Sequence, residues 1–326
     1  MTQIAITRKI FDEAVSLLDE AGLDYWHNEA DESLSLPEMR ARVAEAEAII
    51  CLLTDRIDAP VMDAAPRLKI IANVAVGYDN IDVKAATERG IIVTNTPGVL
   101  TECTADLTFA LLLATARRLV EADAYMRAGK FEGWELFQPH LGLDVYGKTL
   151  GIVGMGRIGT AVARRAALGF NMNVLYTANS VKLEAEQELD AERVSFPDLL
   201  CQSDFISIHT PLTPQTRHLF TLDEFRQMKS SAILINTARG PIVKEADLVQ
   251  ALEQGLIAGA GLDVYEEEPK AHPGLAQLPQ VVMVPHIGSA TTETRRRMAV
   301  TAAQNVVAVL GDQEPINPVN FVSRNL

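Results

Sequence analysis

Residues 149–170 read TLGIVGMGRIGTAVARRAALGF. An apolar run ends in glycines at Gly154, Gly156 and Gly159, and a helical pattern follows. The spacing G-x-G-x-x-G is common by itself. Between a buried-strand run and a helix it marks a dinucleotide-binding turn. Gly154 permits the tight turn, Gly156 lets the main chain approach a pyrophosphate, and Gly159 lets the helix pack close to the strand. Gly154, Met155, Gly156, Arg157, Ile158 and Gly159 together form the candidate phosphate cradle. Free N–H groups and the positive helix end would face the phosphates.

The next strand leads into LYTANSVK, residues 175–182. A dinucleotide fold that takes NAD usually places an acid here, about twenty residues past the glycines, against the ribose hydroxyls. Thr177, Ala178, Asn179 and Ser180 carry no charge. Nothing at this point would repel a 2′-phosphate. Asn179 and Ser180 can donate to one, and Lys182 or Arg157 can supply charge. No arginine stands directly at the turn. The loop slightly favours NADP(H) and also admits NAD(H).

Outward from this unit the chain alternates strand and helix patterns. Ahead of it lie QIAIT, EAIICLL, LKIIANVAV and GIIVTNT, with helical segments between them. After it come NVLYT, RVSF, FISIHT, AILINT, AGAGLDV and VVMVPH. Such alternation predicts parallel α/β structure. TPG at Thr96–Gly98 interrupts the series. A long helical stretch, TECTADLTFALLLATARRLVEADAYMRAG, follows, apolar nearly all round at its centre. It predicts a buried helix that stops at Gly129. KFEGWELFQPHLGLDVYGK has no period and reads as a loop. A second helical stretch begins at TTETRRRMAV, and the tail DQEPINPVNFVSRNL is polar.

Composition narrows the function classes. The chain has 326 residues, 48% hydrophobic and 22% charged, with a formal net charge of −14. That balance disfavours nucleic acid as a partner. Arg295–Arg297 lies in a helical pattern and reads as a solvated face. Cys51, Cys103 and Cys201 are isolated, which suggests a reducing compartment. The first residues read as a strand rather than a signal peptide, and no apolar run is long enough to span a bilayer. The expectation is a cytoplasmic protein with no membrane or metal requirement.

Three polar residues fall at predicted strand ends: Arg239 after AILINTA, Glu268 after GLDVYEE, and His286 after VVMVP. Ligands of open α/β sheets bind beyond the carboxyl ends of the strands. A histidine suits proton donation to a carbonyl oxygen near neutral pH. A neighbouring carboxylate would orient it and favour its charged form. A guanidinium would hold a substrate carboxylate. Spacing alone does not separate Glu268 from Glu266 and Glu267. His209 is a rival acid at another strand end. His27, His140, His218 and His272 lie in polar or irregular segments and are expected at the surface.

The stretches VAVGYDNIDV, TNTPGVLTECTADLTFALLLATARR, KTLGIVGMGRIG, MKSSAILINTARG, GAGLDVYEEEP and PHIGSAT together resemble the D-isomer-specific 2-hydroxyacid dehydrogenases, most of all their glyoxylate/hydroxypyruvate reductase branch. The resemblance covers about residue 70 to residue 291, and the N-terminal part is similar with less sharpness. It implies two Rossmann/flavodoxin-like doubly wound domains. Residues 1–98 and 289–326 would form the substrate domain, and 99–288 the dinucleotide-binding domain inserted in it. It implies Arg239 as substrate binder, His286 as acid/base, and Glu268, the last acid before Pro269, as the partner of His286. The N–H groups of Val76 and Gly77 would hold the substrate carboxylate. Asp263 would meet the nicotinamide amide, and Thr237, Ala238 and Gly288 would line the cofactor. A homodimer through the cofactor domain would use the helix around Ala105–Arg118. Where some members of the branch carry a second tryptophan, this chain has Leu136 and Phe137, which implies a different aromatic wall. The expected activity is NAD(P)H-dependent reduction of glyoxylate or hydroxypyruvate to glycolate or D-glycerate. A reductase of 2-ketogluconate or another D-2-hydroxyacid dehydrogenase is the alternative within the class. A dinucleotide-sensing corepressor is the alternative outside it.

Overall fold

A computed structural model describes residues 3–322. The chain forms two compact units, residues 1–100 with 289–326, and residues 101–288.

The first unit contains β1 (Ile4–Ile6), α1 (Asp12–Glu20), β2 (Tyr25–His27), α2 (Leu36–Val43), β3 (Ala48–Cys51), α3 (Ala59–Asp63), β4 (Ile70–Asn73), α4 (Val83–Glu88) and β5 (Ile92–Thr94). Its sheet is parallel, in the order β2-β1-β3-β4-β5. The chain's last helix, Thr292–Leu310, and the tail belong to this unit. Arg296 on that helix reaches Glu13 on α1 at 2.8 Å. Asn320, nearly buried, accepts the Val93 N–H at 2.7 Å and donates to the Ile91 carbonyl at 2.9 Å. That side chain ties the tail to the free edge of β5, where a strand would otherwise leave its main chain unpaired.

The second unit contains α5 (Thr101–Ala116), α6 (Leu119–Arg127), β6 (Thr149–Val153), α7 (Arg157–Arg164), β7 (Asn173–Thr177), α8 (Leu183–Leu189), β8 (Glu192–Arg193), α9 (Phe196–Gln202), β9 (Phe205–Ile208), α10 (Leu222–Gln227), β10 (Ile233–Asn236), α11 (Glu245–Glu253), β11 (Gly259–Leu262) and β12 (Val281–Met283). All seven strands are parallel, in the order β12-β11-β10-β9-β6-β7-β8. Strands β9, β10 and β11 are buried along their whole length. Both faces of the sheet are covered, so the strands read as continuous apolar runs. The strand order reverses between β6 and β9, where such sheets bind ligands.

The structure corrects three local expectations. The long helical stretch is two helices, because Arg118 is left-handed at φ 51. Ala105, Phe109, Leu111, Leu112 and Ala116 are packed in the core of their own unit. Of RVSF only Arg193 is strand, together with Glu192 before it, because Ser195 accepts the Asp198 N–H and begins α9. His27, expected in an irregular surface segment, lies on β2 and accepts the Ile10 N–H at 3.3 Å. No helix among the described residues is long and apolar enough to cross a membrane.

Candidate active site

The glycine turn joins β6 to α7 at the reversal of strand order. Gly154 has φ 102, and a Cβ there would lie 2.7 Å from the His209 carbonyl carbon. Only glycine serves that close approach between the ends of β6 and β9. A Cβ on Gly159 would collide with the Gly154 carbonyl oxygen, which holds the helix against the turn. Gly156 faces open space, and no side chain caps the helix that starts there. Uncapped N–H groups above an open glycine fit a pyrophosphate. Arg157 is exposed and Ile158 half-buried. The Met155 side chain is in the core, so Met155 presents only main chain to the turn.

β10 delivers Arg239. The turn after it is shaped by Asn236, which is buried, accepts the Ala238 N–H at 3.0 Å and donates to the Arg239 carbonyl at 3.0 Å. Arg239 itself donates to the Ala238 carbonyl at 2.7 Å. The hydroxyl of Thr237 bonds that of Thr108 on α5 at 2.9 Å. A Cβ on Gly240 would overlap the Tyr265 carbonyl, so the arginine turn is seated directly on the loop of the acids. Sequence reasoning left out Asn236. Its signal was an asparagine ending an apolar strand just before the arginine.

The three consecutive acids separate by partner. Glu268 accepts the Tyr265 N–H at 3.1 Å and pairs with His286 Nδ1 at 2.8 Å. Burial raises the Glu268 carboxyl, but the bond and charge of His286 outweigh it, with help from the Tyr265 N–H and Arg239. The net result is a pKa below the usual carboxylate range. Glu266 bonds His218 Nε2 at 2.6 Å and accepts the Glu245 N–H at 3.0 Å. Glu245, nearly buried, accepts the N–H groups of Glu266 and His272, each at 2.7 Å. Glu245 and Glu266 therefore clamp α11 to the loop that carries Glu268. Glu267 forms an isolated bridge to Lys270. His218, half-buried at the surface, is held by its bond to Glu266, and His272 accepts the Gly274 N–H at 3.2 Å. His140 is also drawn inward, 3.6 Å from Glu121 and edge-on to Tyr125.

His286 follows β12 with φ 53, a left-handed backbone that costs a bulky residue about 1 kcal/mol or more. Asp263 holds it there. The Asp263 carbonyl accepts the His286 N–H at 2.9 Å, and its carboxylate accepts Ile287 N–H at 2.6 Å and Gly288 N–H at 2.8 Å. Burial raises the Asp263 carboxyl despite these bonds. Gly288 also accepts the Thr104 hydroxyl at 3.1 Å. Nδ1 of His286 is engaged, and Nε2 has no hydrogen-bond partner among the described residues. The rival His209 retains some exposed surface, yet desolvation of its ring pushes its pKa down to about 3. Its Nε2 is bonded to Ser207 at 2.7 Å. It is neutral at physiological pH and a poor proton donor.

Past β7, Ala178 is half-buried, and Asn179 and Ser180 are exposed. In the first unit, the carbonyls of Val76 and Gly77 accept from Asn95 and Asn73 at 2.7 and 2.8 Å. Their N–H groups make no hydrogen bond among the described residues. Among those residues no three His, Cys, Asp or Glu side chains are placed to hold a metal ion.

Comparison with known proteins agrees with this architecture. A model of the D-isomer specific 2-hydroxyacid dehydrogenase, NAD binding domain, matches residues 109–288. The chain is 51% identical over 321 residues to a glyoxylate reductase of Korarchaeum cryptofilum, spanning 98% of this chain and 96% of that protein. A solved glyoxylate reductase from Paecilomyes thermophila superposes with a TM-score of 0.88 at 35% identity, covering 98% of each chain. The NADPH-dependent glyoxylate/hydroxypyruvate reductase of Sinorhizobium meliloti, solved with NADP and malonate, superposes with a TM-score of 0.86 at 35% identity. It covers 100% of this chain and 99% of that one.

Proposed function

The chain belongs to the D-isomer specific 2-hydroxyacid dehydrogenase family, and we propose that it is an NAD(P)H-dependent reductase of small 2-oxoacids, glyoxylate and hydroxypyruvate first among them. The observation that carries this reading is the His286–Glu268 pair at 2.8 Å. It lies with Arg239 at the same carboxyl edge of the sheet as the open glycine turn. The names of the relatives, glyoxylate reductase and glyoxylate/hydroxypyruvate reductase, support the choice of substrate.

A reduced nicotinamide bound on the glycine turn would supply hydride to the carbonyl carbon. The protein's own groups do the rest. His286 presents Nε2 and gives its proton to the carbonyl oxygen as negative charge develops there. Glu268 fixes the ring through Nδ1 and balances its positive charge. Arg239 grips the substrate carboxylate and draws electron density from the carbonyl. The N–H groups of Val76 and Gly77, which make no hydrogen bond among the described residues, suit a substrate carboxylate. Asp263 keeps the main chain under His286 in its left-handed turn, and its remaining acceptor capacity suits the nicotinamide amide. Thr237, Ala238 and Gly288 line the nicotinamide side.

NADP(H) is the favoured cofactor, and NAD(H) is also accepted, because Ala178, Asn179 and Ser180 place no carboxylate at the ribose. The protein works in the cytoplasm as a homodimer, without nucleic acid or membrane. Support for the dimer comes from apolar side chains exposed between Leu119 and Tyr146, including Trp134 at 76% and Phe137 at 83% exposure. Light scattering should give twice the chain mass.

The test is a matrix of initial rates crossing NADH and NADPH with glyoxylate, hydroxypyruvate, pyruvate and 2-ketogluconate. Glyoxylate and hydroxypyruvate should lead, and 2-ketogluconate ahead of both would refute the substrate assignment. His286→Ala should lower kcat by about 10²–10⁴-fold with cofactor affinity preserved. Near-normal turnover would remove His286 from its role.

A further inference from the structure

Residues 177–180, where β7 ends, carry no charge, but the tertiary structure brings a cation beside them. β8 is the edge strand of the seven-stranded sheet and runs parallel to β7, with Arg193 opposite Tyr176. The Val194 N–H bonds the Tyr176 carbonyl at 3.0 Å and holds this register. The two strands end side by side, and Arg193 Nη2 donates to the Ala178 carbonyl at 3.0 Å. An arginine fifteen residues along the chain is thus tied to the loop that decides the ribose environment.

Its charge is left open. Arg193 is exposed, and no carboxylate lies within ion-pair distance of it among the described residues. Other surface arginines of this acidic chain do have such partners: Arg89 with Asp63, Arg127 with Asp123, Arg226 with Asp223. Two of the three acids of α8 are engaged elsewhere. Glu186 accepts the Tyr176 hydroxyl at 2.7 Å, and Glu188 pairs with Arg164 at 3.2 Å. A guanidinium has five N–H donors in a planar fork, and the Ala178 bond uses one. The rest suit a phosphate dianion. Beside it stand the exposed Asn179 and Ser180, also able to donate.

We infer that Arg193, anchored on Ala178, is the ligand that grips the 2′-phosphate of NADP(H) and sets the cofactor preference. This rests on the dinucleotide reading proposed above. It moves the discriminating charge from the neutral loop to the neighbouring edge strand.

The experiment is a fluorescence titration of the intact protein with NADPH and with NADH. It compares wild type, Arg193→Ala and Arg193→Lys, with circular dichroism as the folding control. Arg193→Ala should weaken NADPH binding by about ten- to a hundredfold, as expected for hydrogen bonds to a charged group. NADH binding should change by less than about threefold, and the lysine variant should fall between. In wild type, NADPH affinity should drop more steeply with added salt than NADH affinity, and the difference should vanish in Arg193→Ala. An equal loss for both dinucleotides would assign Arg193 to loop support or the adenine and overturn the proposal. So would unchanged NADPH binding, or a wild type that strongly prefers NADH. Failure of wild type to bind either dinucleotide would overturn the broader cofactor reading together with this one.

Discussion

Replacing His209 by glutamine should remove an acid sensitivity from the fold while sparing most of the turnover. His209 and His286 both end strands of the cofactor sheet, and only their surroundings separate them. Desolvation takes His209 from its ordinary 6.5 to about 3. Protonated His209 is then about one part in 10⁴ at neutral pH, too little for a general acid. The same shift is a statement about stability. The unfolded chain takes up a proton near 6.5, whereas the folded chain resists until about 3. Stability therefore falls as pH falls between those values. From about pH 7.5 to about pH 5 the loss attributable to this residue is about 2 kcal/mol, since each pK unit corresponds to about 1.4 kcal/mol. Partial exposure of the ring makes that figure an upper bound. His209→Gln keeps a hydrogen-bonding group toward Ser207 and does not titrate. Urea unfolding at the two pH values should show wild type losing about 1–2 kcal/mol more than the variant. The variant should keep turnover within about tenfold of wild type, against about 10²–10⁴-fold loss for His286→Ala. Equal pH sensitivity in the two proteins would refute the buried, neutral assignment. A turnover collapse matching that of His286→Ala would refute the choice between the histidines.

Other consequences can be measured alongside. Glu245→Gln turns an acceptor of two main-chain N–H groups into one that must present its own N–H to one of them. A loss of about 1–3 kcal/mol is expected, with kcat reduced because the Glu268 loop loosens. Unaltered kinetics would dismiss the clamp. Gly240→Ala sets a methyl group against the Tyr265 carbonyl and should cost about 1–3 kcal/mol. It should raise KM for the oxoacid as Arg239 is displaced, and an unperturbed KM would refute that seating. Glu268→Gln should cut kcat about a hundredfold or more by disturbing the His286 ring. Glu268 is held below its ordinary 4.5. Its contribution to stability is therefore complete above about pH 4.5 and fades as the pH falls through the lower folded value. Acid titration of the two proteins should show that loss in wild type and not in the glutamine variant.

Much was legible from the sequence because it is local chemistry. Strand, turn and helix periodicity around Gly154–Gly159 predicts the cofactor unit, since each glycine answers a constraint set within a few residues. Three polar residues closing apolar runs mark the carboxyl edge of a sheet without any knowledge of its strand order. Partner choice was not legible. Glu266, Glu267 and Glu268 are chemically alike and adjacent, and only the approach of His218, Glu245 and His286 from distant elements gives them different tasks. His209 and His286 read alike for the same reason, because desolvation depends on what packs around a ring and not on its neighbours in the chain. The charge absent from Ala178, Asn179 and Ser180 comes, in our proposal, from Arg193, brought alongside by the pairing of β7 with β8. Residue types and their local spacing define which chemistry this protein can carry. Folding selects which of several like residues stands where that chemistry applies, because burial, register and long-range hydrogen bonds exist only once the chain has folded.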